Sequence, residues 1–287
     1  MVRFGPAGLA DSFKTKGYKK SIQVADYLSQ YGLNAFEYQC GRGVKISTGS
    51  ARELGGVLAE KNIQVSLHAP YFISMSSVEE EKRLNSVNYI LQSATALDAM
   101  GGRRVIFHSG SCARLTRRQA LDKALDTMHL MMQAVDDAGL GHMVLCPETM
   151  GKVNQLGSLE EVIELCNVDE RIWPTIDFGH LHCRGLGAIN SKEDYAAILD
   201  KLENGIGTER AKTMHVHFSR IEYTKGGEKM HHTFADVQYG PEFMPLAELI
   251  AERGYEPVFI CESKGTMAED AKSMKDMYFS AINSLLK

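Results

Sequence analysis

Residues 175–182 read TIDFGHLH. The run from Trp173 to Ile176 is apolar and β-branched, as in a buried strand. Asp177, His180 and His182 follow just where that run ends. One such strand end means little, because Asp and His also cap helices and close turns. Its meaning rests on whether other strands end the same way.

Eight short β-rich runs recur along the chain: VRFGPA, AFEYQ, QVSLHAP, RRVIFHSG, MVLCPET, PTIDFGH, TMHVHFS and PVFICES. Helix-like stretches separate them. One starts at Thr116, an N-cap, and stops at Gly139; another starts at Ser158, with Glu161 completing a capping box. Strands that alternate with helices pair in parallel through right-handed crossovers. Eight such units predict a closed (β/α)8 TIM barrel, with residues 1–287 forming one domain. The segment from Ile221 to Tyr239 reads as a long loop with little regular structure, and such loops are usually functional.

The ends of the predicted strands carry a common chemistry. The third strand ends in His68, the fourth in His108 and the fifth in Glu148. The sixth ends in Asp177 and His180, the seventh in His215 and His217, and the eighth in Glu262. His231 and His232 follow the seventh. In a barrel these ends meet on one face, where active sites of this fold lie. Clustered carboxylates and desolvated charges are a poor way to stabilise a fold, and divalent cations remove that difficulty. Mixed imidazole and carboxylate ligands suit Zn²⁺, Mn²⁺ or Fe²⁺. The set exceeds what one tetrahedral ion needs, so two or three ions are expected. His129 and His142 sit on a helix and in a turn, away from the rim.

Composition narrows the class. The net charge of −4 gives no broad basic footprint for nucleic acid, although Arg42, Lys45, Arg114, Arg117, Arg118, Arg184, Arg220, Lys225, Lys229 and Lys264 all follow predicted strands. That placement suits contacts to phosphate on one face. No apolar run is long enough to span a bilayer, and the N-terminus lacks an apolar signal region, so a cytoplasmic location is expected. The six scattered cysteines are expected as free thiols.

The motifs HAPYF, FHSGS, PET, IDFGH, MHVHFS, HH and CES, in this order, resemble the endonuclease IV family of apurinic/apyrimidinic endonucleases. The resemblance runs from about the second strand to the eighth. It implies a zinc-dependent barrel that cuts damaged duplex DNA 5′ to an abasic sugar. By the resemblance, His68, His108 and Glu148 hold a first zinc. Glu148 bridges to a second, held also by Asp177, His215 and Glu262. His180 and His231 serve a third, and Glu148 and Glu262 carry most of the chemistry. Tyr71 and Phe72 match an apolar pair inserted beside the abasic site, and Arg42 stands in the turn the family uses at the minor groove. Arg114 and Arg220, from the cations that follow the strands, are expected as further DNA contacts. No membrane and no obligate protein partner are implied.

The chain departs from the pattern at the third zinc. The family places Asp-x-His after the seventh strand, and Lys229 occupies the Asp position here. Glu228 or Asp236 substitutes if the loop is reshaped; otherwise the Lys229 ammonium binds phosphate in place of part of the third ion's charge. The first strand has FGPAG, and CGRGV offers Arg42 without its usual aromatic neighbour. These departures keep a second reading open, a sugar isomerase or epimerase with one divalent ion and Glu148 and Glu262 as acid and base.

Overall fold

The computed structural model describes residues 1–287. Its strands are β1 (Arg3–Pro6), β2 (Ala35–Gln39), β3 (Gln64–His68), β4 (Arg104–Phe107), β5 (Val144–Pro147), β6 (Thr175–Asp177), β7 (His215–Phe218), β8 (Arg220–Thr224), β9 (Gly227–His232) and β10 (Val258–Cys261). Two parallel four-stranded sheets form, ordered β1-β10-β7-β6 and β2-β3-β4-β5. Bridges from Ala7 to Glu37 and from Glu148 to Thr175 join them at both seams. The result is a closed (β/α)8 barrel of β1 to β7 and β10, each of the eight expected runs supplying one strand.

Local chemistry explains the helices that matter for the site. Thr116 caps the helix Arg117–Asp137 and exchanges side-chain bonds with Gln119. Ser158 and Glu161 do the same for Leu159–Cys166. The sixth strand is shorter than its sequence run. Asp177 already caps the helix Phe178–Arg184 by accepting the His180 amide at 2.7 Å. The strand thus turns directly into a helix, and the His180 side chain returns over the barrel mouth.

The segment after β7 differs from its expectation. Residues 220–232 form an antiparallel hairpin, β8 with β9, around Lys225 and Gly226. The β-branched and aromatic RIEYT ahead of a Gly-Gly pair is a hairpin signal. Its ladder skips one residue. Glu222 pairs with Met230 and Tyr223 with Glu228, leaving Lys229 as the extra residue of a β-bulge. Gly227 and Gly151 let the hairpin lie against the loop after β5: a Cβ on Gly151 would meet Glu228, Cys183 and His180 within 2.9 Å.

The apolar core lies mostly between the strands and the surrounding helices. The barrel interior is different. Ala35, Val258 and Ile260 form a small apolar patch, while Glu37, Ser66, Thr175, Asp177, His215 and His217 are polar and fully or almost fully buried. All six cysteines are free and buried. No helix is long and apolar enough to cross a membrane.

Candidate metal centre

Glu148, at the end of β5, stands at the middle of the barrel mouth and is 1% exposed. Four imidazoles surround its carboxylate. His68 Nε2 and His108 Nε2 each lie 3.2 Å from Oε2. His217 Nδ1 and His180 Nδ1 lie 3.1 and 3.3 Å from Oε1. Burial alone would oppose ionisation, but facing His217 and hydrogen bonds from His108, His180 and His217 outweigh it. Together they hold the Glu148 carboxyl well below the usual range.

Three sets of side chains at this rim bring ligand atoms within 4.8 Å of one another: His68, His108 and Glu148; Glu148, Asp177, His217 and Glu262; and His180, Glu228 and His231. The tautomers suit ligation. His68 Nδ1 bonds the Ala69 carbonyl at 2.9 Å, which leaves Nε2 facing Glu148. His180 Nδ1 bonds the Thr149 carbonyl at 2.9 Å, and its Nε2 points at Glu228, 3.6 Å away. His231 Nδ1 bonds Ser219 Oγ at 2.8 Å, and its Nε2 is 3.8 Å from Glu228. Histidines that ligate metals are commonly held this way through their second nitrogen.

The site also tests whether a cation fits. Asp177 Oδ2 is buried and has no hydrogen-bond partner. An unmatched buried carboxylate oxygen is costly, and a divalent ion between Asp177, Glu148 and Glu262 would satisfy it. Burial, with Glu262 and Glu148 adding to it against His180, raises the Asp177 carboxyl pKa. His68 and His180 move the other way from buried imidazoles in general. Burial lowers each, but Glu148 lifts His68 to about 9, and Asp177 with Glu148 lifts His180 to about 10. The donors and their charge balance therefore fit divalent cations.

Three sequence expectations change. His215 is not in the rim. It pairs with Thr175 in register, whereas His217 pairs with Asp177. His215 thus points inward one step deeper, bonds Glu37 Oε2 at 2.9 Å, and is pushed down to about 4 by burial. His217 takes the place expected for it. Lys229 does not face the cluster either: as the bulge residue it turns outward and bonds Glu222 at 2.6 Å. The bulge lets Glu228 and His231, three apart, face the cleft together beside His180. Asp236 instead bonds Thr233. Arg220 is buried and bound to Glu242 and the Tyr239 carbonyl, which removes it from any exposed DNA surface.

Other expected cations are also committed. Arg184 bonds the carbonyls of Met150 and Lys152, and Arg117 bonds those of Val153 and Gln155. Both fasten the loop after β5. Arg42 and Arg114 are exposed. Tyr71 and Phe72 are 57% and 44% exposed, with ring centroids 4.5 Å apart. The ligand sets border a cleft of about 300 Å³ that includes Tyr71. Through Gln39, Glu228, His231 and Glu262 it shares walls with a second of about 520 Å³, edged by Lys229 and Lys264. His182 faces away and accepts the Ile189 amide at 3.2 Å. Sequence reasoning overlooked Glu37; a lone carboxylate within the apolar AFEYQ run was the signal.

Fold and rim define a (β/α)8 barrel with several candidate metal-binding groups at the C-terminal ends of its strands. The chain belongs to the xylose isomerase-like TIM barrel family, whose model matches residues 25–278. It is 30% identical over 263 residues to an uncharacterized protein of Methanocaldococcus jannaschii, covering 92% of both chains. It is 28% identical over 159 residues to the probable endonuclease 4 of Mycoplasma pneumoniae, a match that spans 54% of this chain and 52% of that protein. Among solved structures, a D-tagatose 3-epimerase-like protein superposes with a TM-score of 0.73 at 19% identity over 100% of both chains. Endonuclease IV from Thermus thermophilus does so with a TM-score of 0.68 at 19% identity, over 98% of this chain and 99% of that one. At these identities the structural likeness shows the fold alone.

Proposed function

We propose that the chain is a metal-dependent phosphodiesterase that hydrolyses duplex DNA 5′ to abasic sites, as the similarity to endonuclease 4 proteins suggests. The observation that carries the reading is the trio of ligand sets gathered around Glu148. A single-ion isomerase has no use for the full set, whereas in-line displacement at phosphorus uses paired ions. His68, His108 and Glu148 would hold one ion; Glu148, Asp177, His217 and Glu262 a second; His180, Glu228 and His231 a third. Zinc is the ion best matched to this donor mixture. When bound, the ions supply activation of water and neutralisation of charge at the phosphate.

The chain's own groups do the rest. Glu148 offers one oxygen toward His68 and His108 and the other toward His217, so it would serve both of the first two ligand sets. Glu262 is partly exposed at the cleft and accepts the proton of the attacking water. Tyr71 lines the cleft and the exposed Phe72 lies against its ring, so the pair offers aromatic surface to an unstacked DNA site.

A sugar epimerase is the second reading, favoured by one observation: Glu148 and Glu262 border the same cleft and share one ligand set, as an acid–base pair would. Incision of a duplex oligonucleotide with one abasic site separates the two. The expected result is cutting on the 5′ side, lost on chelation and in Glu148→Gln. Folded, metal-loaded protein that leaves the duplex intact but epimerises a ketose would reverse the assignment.

A further inference from the structure

Glu37 lies on β2 below the rim, with no exposed surface. Four side chains meet its carboxylate. Ser66 Oγ donates to Oε2 at 3.1 Å, and Gln39 Nε2 donates to Oε1 at 3.0 Å. His215 Nε2 lies 2.9 Å from Oε2. His217 Nε2 lies 3.1 Å from Oε1 and 3.3 Å from Oε2. The other His217 nitrogen, Nδ1, faces Glu148 Oε1 at 3.1 Å and Glu262 Oε1 at 3.4 Å.

An imidazole has two nitrogens, and here each faces a carboxylate environment of a different kind. Glu37 is enclosed and accepts from every side, so the nitrogen facing it carries hydrogen. Nδ1 faces the ligand set that includes Asp177 and its unmatched oxygen. We propose that Glu37 is a positioning residue: it holds His217 with its proton on Nε2 and aims the Nδ1 lone pair at a divalent cation shared with Glu148, Asp177 and Glu262. The inference rests on the metal reading above but not on the nature of the substrate.

The arrangement is a carboxylate–histidine–metal relay, in which a buried acceptor fixes the ring and raises its basicity as a ligand. A buried carboxylate is expensive unless its oxygens are matched. Ser66, Gln39 and His215 supply the remaining donors, which explains why an otherwise unused histidine sits at the bottom of the barrel. His215 saturates Glu37 from below and never reaches the rim. Because Glu37 bonds only His217 among the rim ligands, its direct hold is on one ion, and the loss of that bond should weaken this ion most.

That selectivity provides the test. Purified wild-type protein and Glu37→Gln, an isostere that keeps volume and one acceptor, are loaded with zinc and titrated with chelators of graded strength. Metal content is read by mass spectrometry. The expected result is one ion weakened by roughly 10–100-fold in Glu37→Gln, with the other ions held as in wild type. Unchanged affinity for every ion, or equal weakening of all, would overturn the proposal. Should the variant fail to fold, long-range ¹H–¹⁵N spectra of zinc-loaded wild type decide: a proton on His217 Nε2 supports the assignment, and a proton on Nδ1 overturns it. Wild-type protein that binds no zinc would instead remove the metal reading itself.

Discussion

Asp177 and His217 stand side by side in register on β6 and β7, and His215 stands beside Thr175 one inward step below them. Both histidines of the HVH run point into the barrel, but only the upper one meets the rim carboxylates. His217→Ala should therefore cost one bound ion and nearly all activity. His215→Ala should keep the ion count while lowering stability by about 2–4 kcal/mol, because it opens a buried space and strips Glu37 of a donor. Metal analysis beside denaturant melts checks the pair. An ion lost from the His215 variant alone would contradict the depth assignment.

The hairpin makes a second pair of variants informative. Glu228→Ala should release the ion held with His180 and His231. Lys229→Ala should retain it and leave the melting temperature nearly unchanged, since its pair with Glu222 is solvent-exposed and screened. The measurement is zinc stoichiometry after dialysis. A third ion lost in the Lys229 variant, with Glu228→Ala unaffected, would restore the reading in which the ammonium matters most.

Stability of metal-stripped protein should peak near neutrality. Glu148 raises His68 to about 9, and Asp177 and Glu148 raise His180 to about 10. Their contribution is complete below the ordinary histidine value of about 6.5 and is lost as pH rises through 9 to 10. Burial pushes His215 down to about 4, so the unfolded chain gains a proton there first and stability falls as pH drops below about 6.5. Facing imidazoles hold Glu37 and Glu148 below the usual carboxylate range, and their contribution is lost on further acidification. Thermal melts from pH 4 to 10 should trace a dome with its top at about pH 6.5. A Tm still climbing at pH 9 would refute the charge assignments at His68 and His180.

The exposed aromatic pair separates binding from folding. Replacing Tyr71 and Phe72 by Ala removes little buried surface, so the melting temperature should hold. If the rings stack on DNA, each contributes about 1–3 kcal/mol, and affinity for an abasic duplex should fall by 10-fold or more. Fluorescence anisotropy at fixed salt measures it. Unaltered affinity would relegate the pair to loop packing with Tyr89.

Much of the architecture was legible because the strand runs are short, β-branched and separated by capped helices, and because strand ends in a barrel converge. His68, His108, Glu148, Asp177 and Glu262 lie at or next to the ends of their strands, so their meeting needed no knowledge of register. The errors arose where position along the chain does not determine direction or depth. His215 and His217 have the same inward side, and only pairing with β6 tells them apart. Arg220 follows a strand like its neighbours, but its partner Glu242 is 22 residues away. Glu37 was hidden by its strand, since its significance depends on two histidines 178 and 180 residues distant.

The bulge in β9 bears on how ligands are counted between relatives. Read column by column, the chain has lost the carboxylate of an Asp-x-His pattern to Lys229. In space an acid is present all the same: the bulge takes up Lys229, and Glu228 meets His180 and His231 within 4.8 Å. A strand that can lengthen by a residue and conceal it in a bulge keeps its phase at the mouth of the barrel. Motif spacing along such a strand therefore does not by itself tell which side chains meet at the mouth.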